Sequence, residues 1–152
     1  ALFKFVRAAI EGSPIDVYNF GNMARDFTFV SDLVRSIEKL AEVPPQPSIQ
    51  DSLREREFTA PYRIVNIGNG DKVPLMRFIS ATAAALGRSI PKNMLPMQMG
   101  DVPETWANTD LLFDLTGYRP NTPVEVGIQA FVDWYCDYYN VSLAELELKR
   151  IA

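Results

Sequence analysis

The chain has 152 residues, 47% of them apolar and 22% charged, with a formal net charge of −4. That length can build one domain with a buried core, and the acidic balance argues against a general nucleic-acid binder, which needs a basic face. There is no histidine and only one cysteine, Cys136, so an internal disulfide, a Ser-His-Asp triad, a Cys-His pair and any histidine-ligated metal are excluded within this chain.

No apolar run reaches membrane-spanning length, so no membrane partner is expected. A lone cysteine fits a reducing compartment, and a cytoplasmic location is expected. The chain opens inside a helical pattern without a methionine or a cap, as a fragment of something longer would. Leu2, Phe3, Val6, Ala9 and Ile10 form one stripe, which predicts a helix to about Glu11, stopped by Gly12-Ser13-Pro14. Residues 15–18 alternate as a short strand, and Asn19-Phe20-Gly21-Asn22 reads as a turn that tolerates positive φ.

Met23-Ala24-Arg25-Asp26-Phe27-Thr28-Phe29-Val30-Ser31-Asp32 is the stretch around which the rest is organised. Phe27 to Val30 alternate as a half-buried strand, and Ser31 or Asp32 is expected to cap the helix behind it. Leu33, Val34, Ile37, Leu40 and Ala41 form that helix's apolar stripe. Arg25 enters the strand from a loop. A planar fork of donors on a rigid base suits a phosphate. A surface pair between Arg25 and Asp26 fits the residues as well, and the residues alone leave both open.

Residues 43–61 are polar and proline-punctuated, with a mixed charge cluster at Asp51, Arg54, Glu55, Arg56 and Glu57, and read as a surface loop. Tyr62-Arg63-Ile64-Val65-Asn66-Ile67-Gly68 is the clearest strand, apolar on both faces as parallel strands under helices are. Gly68-Asn69-Gly70 is a tight turn or a phosphate cradle at a helix N-terminus. The next helix is expected to have Pro74 at or near its first position and to present Leu75, Phe78, Ile79, Thr82, Ala83 and Leu86 as one face before Gly87 ends it.

Residues 93–97 read as an edge strand, residues 98–102 as a polar turn and residues 105–107 as a brief strand. Asn108 is placed to cap a helix over residues 111–115, closed by Gly117. Thr122-Pro123-Val124-Glu125 reads as a capping box with proline at its first position. Behind it Val124, Gly127, Ile128, Phe131, Trp134, Tyr135 and Tyr138 read as a core face, with Cys136 an inert residue among them. The tail from Val141 is a short helix or disordered. Residues 15–18 are expected to pair in parallel with 93–97, and residues 27–30 with 105–107, each through a crossover containing a helix.

Taken in order, the Arg25 stretch, Tyr62 to Asn69, Met94-Leu95-Pro96-Met97-Gln98-Met99-Gly100-Asp101-Val102, and Gly117-Tyr118-Arg119-Pro120 through Thr122, Glu125, Gly127, Phe131 and Trp134-Tyr135 carry a resemblance. Over about residues 1–140 they resemble the C-terminal part of the extended short-chain dehydrogenase/reductase nucleotide-sugar enzymes, in particular the UDP-glucuronate 4-epimerases. The resemblance implies an α/β fold: the substrate-binding part of a Rossmann-type enzyme, with small parallel sheets, helices and one closing strand of the Rossmann sheet at residues 62–68. Residues 141–152 are then a tail. In that family the glycine-rich NAD fingerprint and the Tyr-x-x-x-Lys pair lie in the N-terminal part. This sequence has neither, so NAD is expected to be bound by the N-terminal Rossmann half and no catalytic residue is expected here.

The resemblance puts the nucleotide diphosphate on Arg25 and the ribose hydroxyls on Asp101. Val17 and Tyr18 correspond to the segment lining the uracil. Gln98 stands beside the phosphates, where related UDP-galactose 4-epimerases carry arginine. Asn108 and Ser31 replace aspartates usual in the family but keep capping chemistry. The implied partners are a UDP-sugar and the N-terminal half. The implied reaction is 4-epimerisation of UDP-glucuronate or a similar sugar. The alternatives are the same half of a nucleotide-sugar decarboxylase or dehydratase, or a non-catalytic dinucleotide-fold binding module. An unpaired strand at residues 62–67 also predicts self-association into a homo-oligomer.

Overall fold

The computed structural model describes residues 1–46 and 61–144. The loop's charge cluster and the end of the tail fall outside the described residues. In chain order the elements are α1 (Leu2–Glu11), β1 (Ile15–Val17), a 3₁₀ turn (Tyr18–Gly21), β2 (Ala24–Arg25), α2 (Val30–Ala41), β3 (Val73–Pro74), α3 (Leu75–Ala85), β4 (Lys92–Met94), β5 (Glu104–Thr105), α4 (Asp110–Thr116) and α5 (Val124–Tyr138). The fold is α/β, with one small parallel sheet and one mixed sheet.

β1 runs parallel to β4, with Ile15 opposite Lys92 and Val17 opposite Met94. β2 lies between β3, antiparallel, and β5, parallel, with Arg25 opposite Thr105. The helical stripes meet in one core: Val6 of α1, Ile79 of α3, and Ile128 and Val132 of α5 close over Val17. Phe27 stacks on Phe78 at 4.1 Å between ring centroids, which locks the end of β2 onto α3.

The first parallel pair forms as expected, but its second strand is Lys92–Met94 and not residues 93–97. The second joins the expected neighbourhoods, but its strands are Ala24–Arg25 and Glu104–Thr105 instead of residues 27–30 and 105–107. The reason is local. The Asp26 carboxylate accepts the backbone N–H groups of Asn69, Gly70 and Ala107, and Phe27 turns to its stacking partner, so the ladder stops there.

The expected caps differ too. α2 begins at Val30, which puts Ser31 and Asp32 inside its first turn. Asp32 is instead buried and accepts from the Tyr118 hydroxyl at 2.7 Å and the Thr122 N–H at 3.0 Å. The capping box at Thr122 does not close, because Glu125 forms a forked pair with Arg77 at 2.8 and 3.1 Å. Pro74 stands next to the first position of its helix, as expected, and also pairs in β3. Asn108 stands one residue before the N-cap, Thr109, and accepts from the Asp110 N–H at 2.9 Å at the start of α4.

Three apolar surfaces expected inside lie wholly or partly outside. Residues 62–67 form no strand among the described residues, and Tyr62 and Ile64 are 78% and 81% exposed. A strand apolar on both faces needs neighbours on both edges, and the described residues supply none. On α2, Val34 and Ile37 are exposed as well, while Asp32 and Ser36 face inward. On α5, Tyr135 is buried but Trp134 and Tyr138 stack on each other half in solvent. Burial, with Asp133 nearby, raises the Cys136 thiol pKa, which suits an inert cysteine.

Candidate functional site

A cavity of about 480 Å³ is lined by residues of α1, β1 and β2. Lys4 and Ala8 of α1, Asp16 of β1, Tyr18, Arg25 and Asp101 are on its wall. The turn that delivers Tyr18 is held left-handed, with φ of 50° at Asn19 and Phe20 and 84° at Gly21. Asn19 stabilises it by donating to the Asn22 carbonyl at 2.7 Å.

Arg25 is fixed by short bonds on both terminal nitrogens. Nη1 donates to the carbonyls of Ala24 at 2.8 Å and Pro103 at 3.0 Å, and Nη2 donates to Asp101 Oδ1 at 3.0 Å. The Arg25 and Asp101 side chains remain 31% and 35% exposed. Such a pair adds little stability, since water screens it, but it holds the fork and the carboxylate side by side in the cleft. Asp101 Oδ1 also accepts the Val102 N–H at 3.0 Å, which fixes the carboxylate at the turn. Gly100 has φ of 85°, a conformation that glycine reaches without strain.

Of the five residues singled out in the sequence, Tyr18, Arg25 and Asp101 line one cleft. Val17 does not: it is fully buried in the core beneath. Gln98 is not on the wall either, and its backbone carbonyl accepts the Asp101 N–H at 3.2 Å, supporting the turn.

Lys4 and Asp16 are charged wall residues that sequence reasoning did not assign to the site. For Lys4, helical spacing from Ala8 on the same wall was the available signal. The surface pair of Arg25 with Asp26 is not formed. Nor is Gly68-Asn69-Gly70 a phosphate cradle, because Asp26 takes the N–H groups of Asn69 and Gly70 at 3.1 and 3.0 Å. Among the described residues no His, Cys, Asp or Glu cluster could hold a metal, and no helix is long and apolar enough to cross a membrane.

No protein-family model matches the chain. The probable UDP-glucuronate 4-epimerase of Rhizobium meliloti is 48% identical over 143 residues, 91% of this chain and 42% of that protein. Among solved structures, MoeE5 in complex with UDP-glucuronic acid and NAD is 27% identical, with a TM-score of 0.72 over 90% of this chain and 41% of its own. The UDP-glucuronic acid 4-epimerase of Bacillus cereus, in complex with UDP-glucuronic acid and NAD, has a TM-score of 0.73 at 23% identity over 91% of this chain and 40% of its own, a likeness of fold. With the small parallel sheet and the mixed sheet already described, these point to one class: the chain matches the C-terminal part of extended short-chain dehydrogenase/reductase nucleotide-sugar enzymes. Within that class it is similar to the UDP-glucuronate 4-epimerases, and it spans less than half the length of the relatives it matches.

Proposed function

We propose that this chain is the nucleotide-binding part of an NAD-dependent UDP-sugar 4-epimerase acting on UDP-glucuronate or a similar sugar. The observation that carries the reading is the Arg25–Asp101 pair, held at 3.0 Å on the wall of a cleft that also contains Tyr18. A diphosphate oxygen takes the place of Asp101 on Nη2, and the freed carboxylate accepts from vicinal ribose hydroxyls. The uracil lies against Tyr18. Val17 supports this wall from the core, and Gln98 supports the Asp101 turn through its backbone carbonyl.

Asp26 occupies the Asn69 and Gly70 N–H groups, so the turn at residues 68–70 does not offer them to a dinucleotide phosphate. In this reading NAD belongs to an N-terminal Rossmann half, and that half covers Val34, Ile37, Tyr62 and Ile64. The assembled enzyme is read as a cytoplasmic homo-oligomer. This chain's contribution is to hold the nucleotide, remote from the reacting carbon, while the sugar moves.

Calorimetric titration of the chain with UDP tests the reading. Losing one charge-assisted contact in Arg25→Ala weakens UDP binding about 10- to 150-fold, the equivalent of roughly 1.5–3 kcal/mol. Equal UDP affinity in wild type and Arg25→Ala would leave Arg25 a surface charge.

A further inference from the structure

Asp26 follows Arg25 directly, yet the two side chains leave β2 on opposite sides. Arg25 enters the cleft, while Asp26 turns away and gathers three backbone N–H groups from two separate segments. Its Oδ1 accepts from Asn69 at 3.1 Å, and its Oδ2 from Gly70 at 3.0 Å and Ala107 at 3.2 Å. Its own N–H donates to the Thr105 carbonyl at 3.0 Å. Residue 26 is therefore tied to the β5 segment through both backbone and side chain.

The guanidinium depends on the same junction. The Pro103 carbonyl, just ahead of β5, accepts from Arg25 Nη1 at 3.0 Å and from the Ala24 N–H at 2.9 Å. β2 and β5 contribute two residues each, a short ladder to hold a register unaided. Gly68 gives an independent sign of a deliberate close approach. A Cβ there would lie 2.6 Å from the Ala107 Cβ and 2.7 Å from Asp26 Oδ2, so any side chain would push the turn off the carboxylate.

We propose that Asp26 is the positioning residue of the nucleotide cleft: its carboxylate clamps the β2–β5 junction and so holds the Arg25 fork where a phosphate meets it. The inference rests on the nucleotide reading of the cleft and adds a residue that touches no ligand. A positioning role acts through Arg25 alone, so it separates phosphate-bearing ligands from the bare nucleoside.

The test is titration of wild type, Asp26→Asn, Arg25→Ala and the double variant with UDP and with uridine. Asparagine keeps the shape but removes the charge and turns one acceptor into a donor facing an N–H. Asp26→Asn is expected to weaken UDP by about tenfold and uridine by less than about twofold, with little further loss when added to Arg25→Ala. Hydrogen exchange at the Ala24 and Asp26 amides is expected to quicken in the ligand-free variant. If Asp26→Asn does not fold, Gly68→Ala displaces the carboxylate without altering charge and is expected to give the same pattern. Equal weakening of UDP and uridine, or no weakening of UDP in a folded variant, overturns the positioning role alone. Wild type that binds neither ligand overturns the nucleotide reading and this inference with it.

Discussion

Replacing Tyr118 by phenylalanine removes one hydroxyl from a part-buried clasp. Asp32, 8% exposed in the first turn of α2, accepts that hydroxyl at 2.7 Å and the Thr122 N–H at 3.0 Å. It thereby ties α2 to the loop that leads into α5. Burial by itself pushes the Asp32 pKa up, but the bonds from Tyr118 and Thr122 outweigh it and hold the carboxyl below its ordinary range. Phenylalanine keeps the ring and deletes a hydrogen bond to a charged acceptor, a loss of about 1.5–3 kcal/mol at neutral pH. For a chain of this length that lowers the melting temperature by roughly 3–12 °C.

The sign with pH follows from the depressed pKa. The clasp's stabilisation is complete above the unfolded carboxylate range, about pH 4, and is lost as pH falls through the lower folded value. Urea unfolding of wild type and Tyr118→Phe over a pH series measures both effects. The gap between them is expected to narrow in acid towards the roughly 1 kcal/mol of a neutral hydrogen bond. A gap below about 0.5 kcal/mol at pH 7, or one that does not narrow in acid, would refute the reasoning, since a charged acceptor is its premise.

Two further outcomes are expected of the chain by itself. The apolar side chains of Val34, Ile37, Tyr62 and Ile64 stand in solvent, so light scattering after size exclusion should show self-association, reduced by the pair Val34→Lys and Ile37→Lys. A dilute monomer with sharp cooperative unfolding would show that this surface needs no cover. With no Tyr-x-x-x-Lys in the sequence, the purified chain should not turn over UDP-glucuronate in the presence of NAD. Measurable product by chromatography would place an acid–base group where none is read.

The helices were legible because their apolar periodicity is long: Leu2–Glu11 and Val124–Tyr138 stand close to where their stripes predict them. Helix starts were less legible, because capping patterns do not reveal competing partners. Asp32 answers Tyr118, 86 residues away, and Glu125 answers Arg77, 48 residues away. Residues 62–67 carry a strand's pattern without a partner, and pattern alone cannot supply the edge it needs. Arg25 and Asp101 are 76 residues apart; the residues alone raised Arg25, and Asp101 owes its identification to the resemblance. Composition pointed equally to a surface pair with Asp26, whose carboxylate is instead taken by three N–H groups.

A crystal structure of the chain grown with UDP addresses the central claim most directly. Density for the diphosphate is expected within hydrogen-bond distance, about 2.7–2.9 Å, of the Arg25 guanidinium, with the ribose hydroxyls on Asp101 and the uracil against Tyr18. UDP bound elsewhere, with the Arg25–Asp101 pair still closed at 3.0 Å, would contradict it.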